Sequence, residues 1–148
     1  MPKLLRNVLA VVAGIVIGGV VNMILITLSP LLIPPPKGVD VSNSEGLIKA
    51  MPLLKPQHFI MPFLAHAVGT LAGALAAYLI AASYKAHIAY AIGVLFLCGG
   101  VAASFMIPAP IWFKALDLVV AYLPMAWLGI LIGTRMQQGK TVAQEKEA

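Results

Sequence analysis

Charged residues are scarce in this 148-residue chain. They make up 10% of it, whereas soluble domains carry roughly 25%. The scarcity is also uneven, because long stretches contain no Lys, Arg, Asp or Glu at all. Such stretches cannot form the surface of an ordinary soluble domain, so lipid is the expected solvent for most of this protein's surface.

The sequence also lacks the patterns that mark most enzymes and nucleic-acid-binding proteins. It has no G-x-S-x-G, Walker-type or C-x-x-C motif and no paired catalytic carboxylates, so we expect a non-enzymatic protein. The net charge of +5 comes from basic residues between the apolar runs and at the chain ends. Without a basic stripe or stacking aromatics, no nucleic-acid partner is expected. The single cysteine, Cys98, excludes an intramolecular disulfide and is expected to be a small packing residue.

What the chain does contain is four long apolar runs. About 20 apolar residues span a bilayer core, so the runs predict membrane spans at about residues 7–33, 59–84, 88–107 and 116–134. The predicted fold is therefore all-α, an integral membrane four-helix bundle that occupies residues 1–134. The polar segment 135–148 is predicted to be a disordered cytoplasmic tail.

One polar connection is long enough to have structure of its own, and it forms the predicted outer loop. Within it, Ser44–Leu54 is predicted to be a short amphipathic helix, because Leu47, Ile48, Met51 and Leu54 recur at helical spacing. Such a helix would lie on the membrane surface or cover the bundle mouth as a lid. Polar residues assigned to the outer loops are Asp40, Glu45, His58 and Asp117.

The distribution of Lys and Arg predicts the orientation, since cytoplasmic loops carry the excess. Six of these residues fall on one side and four on the other. The six are Lys3, Arg6, Lys85, Arg135, Lys140 and Lys146, and the four are Lys37, Lys49, Lys55 and Lys114. Both termini are therefore predicted to be cytoplasmic.

Small residues recur at four-residue spacing in three of the runs. This spacing lets helix backbones approach closely in lipid. It leaves two interpretations open, a dimerisation face and packing within one chain. The residues concerned are Gly14, Gly18, Gly69, Gly73, Gly129 and Gly133.

His66 is the ionisable residue that lies deepest within a predicted span, and such residues usually face the bundle interior. Asn22, Ser104 and Tyr122 are predicted at overlapping depth in the outer half. The four residues could form a hydrogen-bond cluster that fixes packing or a polar pocket open to the outside. His58 lies eight residues from His66, about 12 Å along a helix, so no metal site and no cofactor is predicted.

Four segments resemble an uncharacterised family of small four-helix bacterial inner-membrane proteins. They are Ile33–Asp40 (IPPPKGVD), Lys55–Phe59 (KPQHF), Pro62–His66 (PFLAH) and Ala67–Ala74 (AVGTLAGA). The similarity covers most of the chain from Val12 to Gly133. It implies a location in the bacterial inner membrane, and it assigns no residue a catalytic role.

Two functional hypotheses follow. The first is a small scaffold, subunit or accessory protein that acts through packing, with membrane lipids and either a second copy or another membrane protein as partners. The alternative is a transporter or small-molecule binder with an outward-facing polar pocket around Asn22, His66 and Tyr122. A cavity that reaches His66 favours the second hypothesis, and a fully packed bundle favours the first.

Overall fold

The computed structural model describes residues 1–147, and the side chains of residues 1–139 and Gln144. Within this part of the chain the protein is helical, without a strand. Two short 3₁₀ turns, Met51–Leu53 and Pro56–Phe59, lie between the second and third helices. The helices are α1 (Lys3–Leu32), α2 (Ser44–Ala50), α3 (Ile60–Ile80), α4 (Lys85–Met106), α5 (Ile111–Val120) and α6 (Leu123–Glu147).

Four helical stretches are long and apolar enough to cross a membrane, by length and composition. They are Lys3–Leu32, Pro56–Ile80, Lys85–Met106 and Ile111–Gly139. The prediction of four such helices is confirmed, although α1 begins earlier than residue 7 and α3 ends before residue 84. α6 continues to Glu147, through most of the segment predicted as a disordered tail, and Ala148 lies outside the described residues.

The fourth stretch differs from its prediction, because it begins at Ile111 instead of residue 116 and is broken into two helices. Ala121 and Tyr122 form the turn between α5 and α6. Pro124 explains the break, since it has no amide proton to donate to the carbonyl of Val120 four residues earlier. The helical bonds resume where the Ala126 amide donates to the Tyr122 carbonyl at 2.8 Å.

α1 packs most closely on α3, through glycines that leave no space for a side chain. A Cβ at Gly73 would lie 2.6 Å from the Gly14 carbonyl oxygen, and one at Gly69 would lie 2.9 Å from the Gly18 oxygen. On α6, Gly129 meets the Leu71 carbonyl and Gly133 meets the Tyr78 ring in the same way. All six glycines predicted for helix packing therefore pack within this chain.

One end of the bundle is fastened by hydrogen bonds from the start of α1. Asn7 Oδ1 accepts from the amides of Ala82 and Ser83, at 2.9 and 3.2 Å. The Arg6 guanidinium donates to the Ile80 carbonyl at 2.6 Å. Lys85 also donates to Gln137 of α6 at 3.0 Å. The start of α1, the α3–α4 turn and this part of α6 therefore lie at the same end.

The opposite end is covered by the outer loop. α2 and the 3₁₀ turn after it provide the helix expected over Ser44–Leu54. Asn43 caps this helix, and its Oδ1 accepts from the Gly46 amide at 2.8 Å. Ile48 is 43% exposed. Leu47, Met51 and Leu54, the other three residues predicted for the apolar face of this helix, pack into a cluster at the end of the bundle. The rest of this cluster is Phe59, Phe63, Ile107, Ala109 and Phe113.

Candidate functional site

A buried carboxylate lies against His66. His66 Nδ1 is 2.9 Å from both Asp117 oxygens, and the Asp117 side chain is only 7% exposed. This position corrects the prediction that Asp117 belongs to an outer loop. The chain becomes helical directly after Pro110. Asp117 therefore belongs to α5, and its side chain lies beside α3.

The break between α5 and α6 adds Tyr122 to this pair. Its hydroxyl donates to Asp117 Oδ2 at 3.1 Å. Its ring stacks on the imidazole of His66, with centroids 5.8 Å apart and planes inclined by 27°. Two hydrogen bonds therefore compensate the burial of the carboxylate, which would be costly for an unpaired charge in an apolar environment.

The Asp117 carboxylate fixes the state of the imidazole. Because a carboxylate accepts, Nδ1 of His66 carries a proton and Nε2 is left to bind another group. Nε2 has no hydrogen-bond partner among the side chains that the structure describes. The nearby Thr70 hydroxyl is already engaged, since it donates to the His66 carbonyl at 2.7 Å. The imidazole can therefore accept a hydrogen bond or a proton, but among the described side chains no serine, threonine or cysteine bonds to Nε2 as a nucleophile would.

A cavity of about 300 Å³ lies beside His66, between α1, α3 and α4. Asn22 also lines it, and Asn22 Oδ1 is buried without a hydrogen-bond partner among the described residues. Such orphaned polar atoms are rare in proteins and call for a ligand or water. The complete lining is Gly19, Asn22, His66, Gly69, Thr70, Leu95, Phe96, Gly99, Gly100, Ala103 and Tyr122.

The structure thus brings three of the four predicted pocket residues together, and Ser104 is the one that does not line the cavity. The Ser104 hydroxyl turns back to its own helix and donates to the Val101 carbonyl at 2.7 Å. Its carbonyl accepts from the Lys114 ammonium of α5. Lys114 therefore bonds to a backbone carbonyl near the end of α4, and it does not pair with Asp117.

The remaining polar residues of the outer loop form local contacts. Hydrogen bonds from the Ser42 hydroxyl and amide hold the pKa of the exposed Asp40 carboxyl below its ordinary value. Glu45 pairs with Lys49 at 2.6 Å. His58 bonds to the backbone of Lys55 and, through Nε2, to the Pro34 carbonyl at 3.2 Å.

The loop also borders a hollow of about 440 Å³, which is larger than the cavity beside His66. Its polar side chains, among them Asp40 and Glu45, are exposed and already paired with their neighbours. Among the described side chains, no three His, Cys, Asp or Glu residues come together as metal ligands. The cavity beside His66 is the better candidate, because its lining includes Asn22, whose buried Oδ1 has no described partner, and His66, whose Nε2 has none.

Asp117 is the site residue that sequence reasoning missed. A signal for it was present, since His66 and Asp117 both lie in largely apolar sequence, and ionisable residues in such runs tend to pair. Comparisons with protein-family models, with curated proteins and with solved structures find no match to this chain. The functional interpretation therefore depends on the geometry of the site.

Proposed function

We propose that this chain is an integral membrane protein that binds a small uncharged molecule in the cavity beside His66. The observation that carries the proposal is a cavity lined by two polar side chains, His66 and Asn22, that each have an atom without a hydrogen-bond partner among the described residues. His66 Nε2 is positioned by Asp117 but has no described partner, and Asn22 Oδ1 on the facing helix is buried without one. Convergent polar groups in a mostly apolar cavity are typical of ligand sites.

The lining favours an uncharged ligand. It contains no Lys, Arg, Asp or Glu, and Nδ1 of His66 is already hydrogen-bonded to the Asp117 carboxylate. The amide of Asn22 can donate or accept after a half-turn about its terminal torsion. A ligand hydroxyl can donate to Nε2 of His66 and accept from the amide nitrogen of Asn22, whereas a carbonyl, phosphate or carboxylate group has no proton to donate to Nε2.

The scaffold or subunit hypothesis stays a prediction, and so do a second copy or another membrane protein as its partner. Its main support was the set of small-residue faces. Those faces pack α1 and α6 against α3 within one chain, so they do not need a partner protein. The binding hypothesis is better supported because a cavity reaches His66.

A bacterial inner membrane with both chain ends in the cytoplasm is part of the same proposal. The four apolar helices, the excess of Lys and Arg near the chain ends, and the family resemblance support it. Reporter fusions at the C-terminus test the orientation. Activity of a reporter that functions only outside the cytoplasm would contradict the predicted orientation.

Native mass spectrometry of the protein released from lipid nanodiscs tests the binding function. We expect the wild-type chain to carry the extra mass of a bound small molecule. Asn22→Leu keeps the side-chain size but removes the polar end, and it should abolish that mass. Thr27→Val is the matched control, since Thr27 lies exposed on the same helix outside the cavity. A wild-type chain without extra mass would refute the proposal.

A further inference from the structure

From the position of the cavity's opening, we infer that its ligand is a membrane-dissolved amphiphile that enters sideways, between α1 and α4. The expected headgroup is a hydroxyl, and the apolar tail extends into the lipid. The inference rests on the proposed binding function and adds to it the chemical class of the ligand and the route that it takes.

The opening lies in the middle of two helices. Gly19 of α1 and Leu95 and Gly99 of α4 are the exposed residues of the lining. Gly19 stands 13 residues before the end of α1 at Leu32, which is about 20 Å at 1.5 Å per residue. Such a depth corresponds to the acyl chains of a bilayer about 30 Å thick. The opening therefore faces lipid and not water.

The two glycines create the opening. A Cβ at Gly19 or at Gly99 would meet nothing within 4 Å. Their immediate neighbours behave in the opposite way, since a Cβ at Gly18 would lie 2.5 Å from the Phe96 ring and one at Gly100 would overlap the Tyr122 hydroxyl. In each glycine pair, Gly18-Gly19 on α1 and Gly99-Gly100 on α4, one glycine packs against a neighbouring residue and the other faces open space. The opening lies at the two unpacked glycines, Gly19 and Gly99.

No route from either end of the bundle reaches the cavity as directly. At the outer end, Met51, Phe59 and Phe113 form a buried apolar cluster, and no residue of segment 34–58 lines the cavity. The outer loop therefore does not act as a lid over this site. Towards the other end, the α1–α3 crossing at Gly14 and the fully buried Ile92 close the interior.

The size and polarity of the cavity fit one end of an amphiphile. Its volume of about 300 Å³ equals the liquid volume of about ten water molecules, at roughly 30 Å³ each. The polar groups of Asn22 and His66 belong to its α1 and α3 walls, and Leu95, Phe96 and Ala103 make the α4 wall apolar. A headgroup can bond to the first two residues while its carbon chain leaves past the apolar wall.

Photolabelling measures this route directly. The probe is an eight-carbon alcohol that carries a diazirine, added to the full-length protein in phosphatidylcholine vesicles. Tyr122 is the reporter, since it lines the cavity and is 3% exposed. Trp127, which is 52% exposed on α6, reports contact with the probe in the lipid. We expect both residues to be labelled in the wild-type protein.

Two variants close the opening without disturbing the packing. Gly19→Leu and Gly99→Leu each place a side chain where the structure has open space, and each should reduce the labelling of Tyr122 at least fivefold. Ala102→Leu is the matched control, because Ala102 is exposed on α4 but does not line the cavity. Labelling of Trp127 should stay the same in all three variants, which shows that the probe reaches the protein equally from the lipid, and SDS unfolding of each variant checks that it remains folded.

The outcomes separate this inference from the function on which it rests. If Tyr122 is labelled equally in both Leu variants, or by a short diazirine carboxylate that stays in water, lateral access is refuted and the binding site stands. Lateral access is equally refuted if Tyr122 of the wild-type protein stays unlabelled while native mass spectrometry shows a bound molecule. A wild-type chain without bound mass refutes the binding function itself.

Discussion

The two sides of α1 use the same residue type to opposite effect. Towards α3, Gly14 and Gly18 meet Gly73 and Gly69, and the backbones touch. Towards α4, Gly19 meets nothing within 4 Å, and a cavity opens. Glycine in a membrane helix removes a side chain, but the opposite helix decides whether the space is filled by backbone or left open.

This difference separates stability from binding within one helix. Matched glycines give close van der Waals contact, which is the main attraction between helices in lipid. Unmatched glycines give up that contact and leave the cavity open. We therefore expect substitutions on the α3 side to change the free energy of unfolding and those on the α4 side to change binding.

The largest effect is expected at the α1–α3 crossing. Gly73→Ala puts a Cβ 2.6 Å from the Gly14 carbonyl oxygen, and this overpacking should lower the free energy of unfolding by about 3 kcal/mol. Gly19→Ala, its counterpart on the open side, should be neutral or raise stability by up to about 1 kcal/mol, since alanine favours helix. Unfolding by SDS in mixed micelles measures both. Equal losses at the two positions would contradict the distinction.

The next largest change in the free energy of unfolding is expected at Asp117, whose hydrogen bonds join α3, α5 and α6 beside the cavity. Asp117→Ala leaves His66 Nδ1 and the Tyr122 hydroxyl without their acceptor. Such bonds are worth about 0.6 to 2 kcal/mol each in membranes, so a loss of about 2 kcal/mol is expected in the same unfolding experiment.

Asp117→Asn provides the control for that substitution, because the amide oxygen still accepts a hydrogen bond. It should lose less than half as much as Asp117→Ala. A double-mutant cycle with His66→Ala isolates the pair, since neighbouring residues that bond to each other show non-additive losses. Strict additivity would mean that the bond between His66 and Asp117 does not stabilise the fold.

The apolar runs predicted the helices well because lipid imposes one strong rule. A spanning segment must satisfy its own backbone, so length and composition suffice to find it. The same reasoning does not place Asp117 correctly, since this residue lies at the edge of the fourth apolar run and composition predicts an outer-loop position for it. Only the position of Pro110 and the fold of α5 place that carboxylate beside His66.

The pocket residues show the same limit. The sequence grouped Asn22, His66, Ser104 and Tyr122 by estimated depth, and the structure lines one cavity with three of them. Depth does not determine which way a side chain points around the helix axis, and Ser104 bonds within its own helix. Whether small residues meet a partner or open space is likewise set by helix rotation, which spacing alone leaves undetermined.

A smaller effect is expected from filling the open side. Ala103 lines the cavity on α4, and Ala103→Leu adds apolar carbons to empty space. We expect stability to rise by about 1 kcal/mol and the bound mass in native spectra to disappear. Ala102→Leu on the outer face should change neither quantity. A strong loss of stability in Ala103→Leu would show that this side is packed as tightly as the α3 side.

The smallest effect is expected in the outer loop, which touches neither side of α1 and so provides a baseline for both. The Ser42 hydroxyl and amide donate to the Asp40 carboxylate and lower its pKa from the ordinary value of 3.8. A lowered pKa means that the ionised carboxylate stabilises the loop above pH 3.8, and that this contribution is lost as the pH falls through the lower folded value. The NMR shift of the Ser42 amide proton should therefore titrate with a midpoint below 3.8, and Asp40→Asn should remove the transition.

Because Asp40 is fully exposed, the stability of the four long helices should not change with this substitution. A change in SDS unfolding as large as that of Asp117→Asn would show that the loop is coupled to the cavity after all.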